Sequence, residues 1–492
     1  MKLWNFSILL AIFWVSLANS LQHQGKFSPT EEVFTWKKVE YENLPKSEKS
    51  RLGPHAYYIP QNNDIIGMGF HPLSGLMIVN ILRSRPGVPT SLGAFCIKDY
   101  MLHKVGTSPK IWAFPNYEIN ALHPEDFSER NLIEKTSGKL LLKAPNETEF
   151  YNVTDYSGFN FISFNQFSSL DTSRVVASIE PPENPRIISA FCVTIDERCN
   201  RAFLVDNGQL QYNQNITYII QKPALVVIDL PADGCDSRNF SIIRRSELPD
   251  RISEKGSNGF LGVTLDFQNE DSCEDLFLYF PNAFYSYLVV YDYKNDDFWE
   301  FEHESFLPVR AESHFIFNRN FRYDLEFGIY SITLSYAPDK NGVKTAFYAP
   351  LASTAQFGVS TMILKDKTKS PTNYEMEDFE LVGYKGCNHQ TTNMVTDHTY
   401  GVIFFSEVQS NQIRCWNMNK PLNPDNIGVV YESKKLLLGI QISIDSLGYL
   451  WFHSCRIAVD FLSDYPLNLH EVNSRFFRIK VSEAINGTVC ED

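Results

Sequence analysis

A strand–turn–strand pattern recurs six times along this 492-residue chain and constrains the fold more than any other feature. Each copy is a short run of alternating apolar and polar residues, a polar turn with Asp, Gly or Pro, and a denser apolar run. The clearest copies are Val193–Asp196 with Ala202–Val205, Val263–Asp266 with Leu276–Tyr279, and Ile442–Asp445 with Tyr449–Phe452. Looser copies are Ile66–Phe70 with Leu76–Val79, Ile332–Ser335 with Ala346–Tyr348, and Met394–Asp397 with Val402–Phe405.

The spacing of the copies indicates one unit with a single large insertion. Turns at 196, 266, 338, 397 and 445 follow one another at 48 to 72 residues, whereas 125 residues separate the turns at 71 and 196. That interval contains a segment at about 123–184 that is rich in Asn, Ser, Glu and Thr, and we interpret it as a glycosylated insertion. Two further hairpins, Ala224–Asp229 with Phe240–Ile243 and Tyr287–Asp292 with Phe298–Phe301, bring each unit to about four strands.

Four strands in a unit of this length are typical of a propeller blade, whose apolar face only a neighbouring blade can cover. A closed ring of six covers every face and leaves no open edge. The aromatic content of 14% favours strands, and no long helical periodicity alternates with them. We therefore predict an all-β fold, a six-bladed, disulfide-stapled β-propeller that forms a single domain over residues 21–492.

The amino terminus has the pattern of a cleavable signal peptide over residues 1–20. Lys2 supplies a positive charge, Ile8–Leu17 is apolar, and Ala18–Ser20 offers small residues for cleavage. An apolar run of about 10 residues is too short for a bilayer-spanning helix, which needs roughly 20. We predict a secreted, extracellular protein. The net charge of −14 argues against nucleic acid or anionic membranes as partners.

Cysteines and glycosylation sequons agree with an extracellular location. Disulfides are expected in an oxidising compartment, but the count of nine is odd, so at least one cysteine lies outside intramolecular pairs. No two cysteines have CxxC spacing, so neither a zinc site nor a redox motif is predicted. Predicted N-glycosylation sites are Asn146, Asn152, Asn215, Asn239 and Asn486.

Specific segments resemble the yellow / major royal jelly protein family of insects. They are Tyr58–Asn63 (YIPQNN), Arg85–Leu92 (RPGVPTSL), Trp112–Asn120 (WAFPNYEIN), Ile195–Cys199 (IDERC) with Phe203–Gly208 (FLVDNG), Leu351–Ser353 with Phe357–Thr361, Arg414–Trp416, and Glu483–Cys490. The resemblance extends in order over about residues 33–490. The fold that it implies, a six-bladed propeller, agrees with the repeat count, while the insertion departs from the usual family pattern.

The resemblance also implies disulfides and a ligand site. It implies the pairs Cys199–Cys273 and Cys415–Cys490, although some relatives join the equivalents of Cys387 and Cys415. Cys96, Cys192, Cys235, Cys387 and Cys455 stay unassigned. Salivary relatives that bind biogenic amines use Thr, Asn and Phe on the final blade, and the matching positions here are Ile440, Cys455 and Ile457. Isoleucine cannot form hydrogen bonds with an amine, so this chain departs from that pattern.

No catalytic signature is found in the sequence. Nucleophile-elbow, HExxH, Walker and EF-hand motifs are absent, so catalytic residues are not assigned, and neither a metal nor a cofactor is predicted. Ligands of propellers bind at the end of the axis, where the inner strands converge. His314, near a predicted strand start, joins Ile440, Cys455 and Ile457 as a candidate that faces this channel.

Three functional hypotheses follow. The first is a secreted, non-catalytic binding or structural protein of cuticle, pigmentation, eggshell or a secretion, with a small aromatic or apolar ligand in the channel or extracellular matrix proteins as partners. The second is an enzyme that converts dopachrome in melanin synthesis, as the family resemblance suggests. The third is a salivary or venom trap for biogenic amines. The sequence favours the first, because it contains no set of residues that matches a catalytic site.

Overall fold

The structure is a computed structural model. It describes residues 30–45, 57–101, 106–127, 132–134, 186–212, 216–236, 238, 240–255, 259–269, 271–317, 321–336, 343–458 and 465–491. The predicted signal peptide, most of the predicted insertion and the sequons at Asn146, Asn152, Asn215 and Asn239 lie outside these ranges. Asn486 lies within them and is exposed. None of the helices in these ranges is long and apolar enough to cross a membrane.

The described strands confirm an all-β chain. In order they are β1 (Glu31–Trp36), β2 (Ile65–His71), β3 (Leu76–Ile81), β4 (Leu92–Cys96), β5 (Trp112–Ala113), β6 (Leu132–Glu134), β7 (Thr194–Asp196), β8 (Arg201–Asp206), β9 (Gln209–Tyr212), β10 (Ile216–Ile219), β11 (Ala224–Asp229), β12 (Ile242–Glu247), β13 (Thr264–Phe267), β14 (Leu276–Asn282), β15 (Tyr287–Asp292), β16 (Asp297–Phe301), β17 (His314–Phe317), β18 (Phe321–Asp324), β19 (Ile329–Leu334), β20 (Thr345–Pro350), β21 (Ala355–Ser360), β22 (Phe379–Tyr384), β23 (Thr391–Asp397), β24 (Val402–Glu407), β25 (Gln412–Asn417), β26 (Ile427–Glu432), β27 (Ile442–Ile444), β28 (Tyr449–Ser454) and β29 (Ser474–Lys480).

The helices are short and lie in the connections. The α-helices are α1 (Lys98–Met101), α2 (Asp250–Ser253), α3 (Thr361–Lys365) and α4 (Val481–Ile485), and the 3₁₀ turns are Pro60–Asn62, Pro124–Phe127, Glu304–Phe306, Arg310–Glu312, Lys367–Lys369, Met376–Asp378 and Pro424–Asn426.

Six antiparallel four-stranded sheets form the blades of a β-propeller, as predicted. Blade 1 is β2-β3-β4-β5, blade 2 is β7-β8-β11-β12, blade 3 is β13-β14-β15-β16, blade 4 is β19-β20-β21-β22, blade 5 is β23-β24-β25-β26, and blade 6 is β27-β28-β29-β1. Each of the six sequence repeats forms the two innermost strands of one blade. Apolar clusters fill the blade interfaces, so each face is covered by its neighbour.

The two ends of the chain close the ring together. Strand β1 pairs antiparallel with β29 and becomes the outermost strand of blade 6, after which the chain continues into blade 1. Phe34 and Trp36 of β1 are buried in the cluster that joins blades 6, 1 and 2. Asp64, which immediately precedes β2, accepts hydrogen bonds from Ser474 Oγ (3.2 Å) and Arg456 N (3.1 Å) of blade 6. Blade 6 therefore depends on contacts across nearly the whole length of the sequence.

The aspartates that recur in the repeat hold each innermost strand to the next strand or turn. Asp196, Asp266, Asp397 and Asp445 lie at or beside the end of the innermost strands of four blades. Their carboxylates accept hydrogen bonds from Arg201 Nη2 (2.9 Å), Tyr279 Oη (2.8 Å), Tyr400 N (2.7 Å) and Trp451 Nε1 (2.8 Å), respectively. These four residues therefore have a structural role, which explains their position in the repeat.

Side-chain hydrogen bonds join the innermost strands around the axis. They are Thr194 Oγ1 to Val263 O (2.6 Å), Thr264 Oγ1 to Ile332 O (2.7 Å), Thr333 Oγ1 with Thr396 Oγ1 (2.9 Å), Thr392 Oγ1 to Gly439 O, Gln441 Nε2 to Val193 O (2.7 Å) and Met68 N to Gln441 Oε1 (2.7 Å). Gln441 of blade 6 thus contacts both blade 1 and blade 2. Gly67 leaves room for it, because a Cβ at this position would lie 2.7 Å from Gln441 Oε1.

His453, on β28, lies beside Gln441 and makes stability depend on pH. Its Nδ1 accepts a hydrogen bond from Gln441 N (3.3 Å), and burial lowers the pKa of the ring to about 4. As the pH falls from 6.5 towards 4, the unfolded chain takes up a proton at this ring and the folded chain does not. We expect this group to decrease the free energy of unfolding by about 3 kcal/mol over that range, with little further change below it.

The measurement is urea unfolding at a series of pH values for the wild type and His453→Gln. The variant should lose much of the pH dependence between 6.5 and 4, whereas substitution of the exposed His470 by Gln should leave it unchanged. An equal pH dependence in all three proteins would contradict the assignment.

Three disulfides staple neighbouring blades. Cys199–Cys273 joins blades 2 and 3, and Cys415–Cys490 joins blade 5 to the carboxyl terminus; both pairings are those implied by the family resemblance. Cys96–Cys235, which the sequence left unassigned, joins blades 1 and 2. The alternative pairing of Cys387 with Cys415 is not found, and Cys387 is exposed.

Two small sheets lie outside the blades. Strands β9 and β10 form a hairpin between β8 and β11 of blade 2, and β6 pairs with β10. Strand β6 is the part of the predicted 123–184 insertion that the structure shows as a strand. The second sheet is the β17–β18 hairpin, which lies in the connection from blade 3 to blade 4.

Candidate functional site

One end of the axis carries a ring of irregular backbone. We call it the top, the end at which the outermost strand of one blade continues into the innermost strand of the next. At the top of blades 1, 4 and 5 the innermost strand contains one extra residue, and the three extra residues are Ile66, Tyr330 and Thr392. β-Bulges redirect side chains and are common near binding sites.

Blades 2 and 3 contain the same irregularity. In blade 2, Ala190 pairs with Asp206 and Thr194 with Phe203, so four steps on the innermost strand oppose three on its neighbour. In blade 3 the pairs Phe260 with Asn282 and Thr264 with Tyr279 give the same mismatch. Extra residues therefore occur at equivalent places in at least five blades. They lie at the top of the innermost strands, so side chains from several blades meet around the axis there.

These side chains form what we call the top apolar cluster, to which all six blades contribute. Its buried members are Ile66, Leu82, Cys192, Leu261, Ala283, Phe315, Phe317, Tyr323, Leu325, Phe327, Leu351, Ala352, Val408, Leu438, Ile440, Cys455, Ile457 and Ala458. Phe191, Phe284 and Tyr330 pack against it and keep part of their surface accessible. The end of a propeller axis, where apolar side chains of several blades converge, is a common place for a small-molecule site.

The β17–β18 hairpin covers this cluster. Its residues alternate between exposed and buried, and Phe315 and Phe317 of β17 are buried in the cluster. His314, predicted to face the channel, lies instead on the outer side of the hairpin with 64% of its side chain exposed. Its Nδ1 lies 2.5 Å from Asp324 Oδ1 on the paired strand. The two-residue alternation gives Phe315, and not His314, the inward position, and a ligand contact for His314 stays a prediction.

Ile440, Cys455 and Ile457 all lie in the top apolar cluster. Ile440 precedes β27, while Cys455 and Ile457 follow β28. Cys455 N donates a hydrogen bond to Leu438 O (3.0 Å), which fixes the two segments against each other. The three candidates from the sequence therefore belong to one cluster, and their contribution to it is apolar.

Tyr330 adds a hydroxyl group to this surface. The side chain packs against the top apolar cluster, and part of the residue remains accessible. Burial raises its pKa far above the usual range, and the thiols of Cys192 and Cys455 act in the same direction. Burial likewise raises the pKa of Cys192 to about 12. Tyr330 and Cys192 therefore stay neutral at physiological pH.

A separate polar network anchors the base of the hairpin to blade 4. Glu312 accepts hydrogen bonds from Thr354 N (2.5 Å) and Thr354 Oγ1 (3.1 Å). Lys385 is 1% exposed, and its Nζ donates to Ala355 O at 3.4 Å. Burial lowers the pKa of Lys385 to about 8, although Glu407 and Glu312 oppose the shift. This network positions the roof of the site.

Comparison with known proteins places these features in a family. The sequence profile described as "Major royal jelly protein" matches residues 188–490. The chain belongs to the major royal jelly protein family. "Yellow-related salivary protein ASP4" of Phlebotomus orientalis is 31% identical over 394 residues, 77% of this chain and 92% of that protein. "L-dopachrome tautomerase yellow-f" of Drosophila melanogaster is 28% identical over 485 residues, 94% of each chain.

Sequence reasoning missed Tyr330 and the hairpin roof. Tyr330 faces the axis because of the bulge, and a bulge leaves only a weak mark in a sequence. The mark here is a glycine beside two adjacent apolar residues, Gly328 before Ile329–Tyr330 and Gly67 after Ile65–Ile66, which interrupts the strand alternation.

Proposed function

We propose that this family member is a secreted, extracellular binding protein that holds a small, largely apolar molecule in the top apolar cluster. The observation that carries the proposal is the cluster itself, which collects apolar side chains from all six blades beneath a separate hairpin. Secretion is part of the proposal and rests on the signal-peptide pattern and the sequons. The salivary designation of relatives such as the Phlebotomus orientalis protein agrees with it.

The polar groups around the cluster support binding over catalysis. The Cys192 thiol and the Tyr330 hydroxyl remain protonated near neutral pH, because burial disfavours their charged forms. A general base must accept a proton at the working pH, and none of these groups meets that requirement. Contacts with an apolar ligand, in contrast, need only shape and the exclusion of water.

Isothermal titration calorimetry with 2-isopropenylnaphthalene tests the proposal. Saturable binding is expected, and Ile440→Phe and Ile457→Trp should each weaken it by filling the site. Leu381→Trp, at an exposed position of β22, is the matched control and should bind normally. Circular dichroism verifies that each variant is folded. Absence of saturable binding, or unchanged affinity in both folded filling variants, would overturn the proposal.

Dopachrome tautomerisation is a second candidate, favoured by the match over 94% of both chains with a protein named L-dopachrome tautomerase. The reaction needs a base at the enolisable carbon and a donor for the developing oxyanion. Tyr330 is a candidate donor. The test follows the visible absorbance of dopachrome with purified protein: decay faster than in buffer, and slower again in Tyr330→Phe, supports this activity, whereas decay at the rate of buffer rejects it.

A further inference from the structure

We infer that the ligand of the top apolar cluster is a neutral molecule that presents a hydrogen-bond acceptor, such as a carbonyl oxygen, to the hydroxyl group of Tyr330, and that amines are excluded. This inference rests on the proposed function, because it names the chemical class of ligand for the same site.

The position of Tyr330 points its side chain towards the axis. In blade 4, Ile329 pairs with Pro350 and Ser331 with Ala349, which leaves Tyr330 as the extra residue. Ile329 is buried in the interface of blades 3 and 4, whereas Tyr330 packs on the top apolar cluster. The bulge thus takes Tyr330 out of the blade interface and brings it to the ligand side.

The hydroxyl group of Tyr330 has unused hydrogen-bonding capacity. It forms no hydrogen bond with any residue in the described ranges, and part of the residue is accessible. Part of Tyr330 is accessible, so its hydroxyl group is a donor that a ligand on the apolar surface can use, and a ligand atom that accepts its proton gains affinity. The high pKa keeps the phenol protonated, and therefore able to donate, at every physiological pH.

Among the described residues, no carboxylate acts on Tyr330 in a way that could balance a positive charge on a ligand. Among the described residues, the titratable groups that affect its pKa are the thiols of Cys192 and Cys455, and no carboxylate is among them. Carboxylates on the segments that supply the cluster already have partners. Asp64 accepts from Ser474, and Glu407 contacts Arg414. Asp324 contacts His314, and Glu326, between Leu325 and Phe327, lies 3.7 Å from Arg310 Nε.

An ammonium group that enters this site would lose its hydration without gaining an opposite charge, which is strongly unfavourable. A neutral carbonyl loses much less hydration and regains a hydrogen bond. The site therefore favours a neutral carbonyl ligand over an amine for two reasons: it offers a hydrogen-bond donor to the carbonyl oxygen, and it offers no opposite charge to an ammonium group.

Three ligands of nearly equal shape test the inference: 2-acetylnaphthalene offers a carbonyl, 2-isopropenylnaphthalene replaces that oxygen with CH₂, and 1-(2-naphthyl)ethylamine carries an ammonium group. Calorimetry on the wild type should show that the ketone binds about tenfold more tightly than the alkene. The amine should bind at least tenfold more weakly than the alkene.

Tyr330→Phe should abolish the preference for the ketone without changing affinity for the alkene. Tyr400→Phe, at an exposed turn at the opposite end of blade 5, is the control and should change neither.

The outcomes separate the two proposals. Equal affinity for ketone and alkene in the wild type, or tightest binding of the amine, would overturn the inference while the proposed apolar site remains. A preference for the ketone that survives in folded Tyr330→Phe would also overturn it, because the hydroxyl would not be its source. Failure of all three ligands to bind would reject the proposed function itself.

Discussion

Replacing Trp36 by alanine is expected to lower the free energy of unfolding by about 3–5 kcal/mol, the usual cost of truncating a large buried aromatic residue. Trp36 is 1% exposed, and its ring centroid lies 4.9 Å from that of Phe476 and 5.9 Å from that of Phe95. Its Nε1 also donates a hydrogen bond to Pro109 O (2.9 Å). The substitution leaves a cavity where β1 closes the ring, together with an acceptor that loses its partner.

The measurement is urea unfolding followed by circular dichroism under oxidising conditions. Leu381→Ala is a suitable control, because Leu381 also lies on an outermost strand, β22 of blade 4, but is 49% exposed. It should change stability by no more than about 0.5 kcal/mol. If Trp36→Ala cost as little as the control, β1 would not contribute to closure of the ring in solution.

Local sequence patterns were sufficient to predict the blades and a closed ring, but not the strand that closes the ring. The innermost hairpin of each blade joins strands that are close in sequence, and the alternation of residues such as Val263–Asp266 predicts both strand and turn. Strand β1 pairs with β29 instead, so that Glu31 faces Arg478 across 447 positions. A run of six residues at one end of a chain has no local feature that identifies such a distant partner.

The site was predicted in part, for a similar reason. The family resemblance identified Ile440, Cys455 and Ile457, and the structure places them in one cluster. Tyr330 depends on a shift of register between two strands, and such shifts are set by the packing of whole blades. The β17–β18 hairpin was not predicted, and its register, which places Phe315 rather than His314 inward, depends on the exact start of a short strand.

Cys96–Cys235 illustrates a third limit. Disulfide connectivity cannot be deduced from spacing, since nine cysteines allow many pairings. The bond forms because the end of β4 and the loop after β11 meet where blades 1 and 2 pack, with their Cα atoms 5.9 Å apart. Knowledge of the blade order is therefore needed before the pairing can be assigned.

Loss of the Cys415–Cys490 bond is expected to destabilise the protein by about 4 kcal/mol, from the entropy that the unfolded chain regains when a loop of this length opens. The cysteines are 75 positions apart, and both are buried. The bond holds helix α4 and the carboxyl terminus against β25 of blade 5, so it secures the side of blade 6 that faces blade 5. The double variant Cys415→Ser/Cys490→Ser, compared with the wild type by urea unfolding, measures this contribution.

The control variant, Cys387→Ser, also decides between the two pairings found among relatives. Cys387 is exposed and lies outside the three disulfides, so its substitution should change stability by no more than about 0.5 kcal/mol. If Cys387 were bonded to Cys415, Cys387→Ser would instead destabilise the protein about as much as the double variant. Mass spectrometry of non-reduced peptides would then show Cys387 linked to Cys415, and Cys490 would be available to thiol reagents. The structure predicts the opposite pattern, in which Cys387 reacts and Cys490 is protected, because the two bonds hold different segments of the chain against β25.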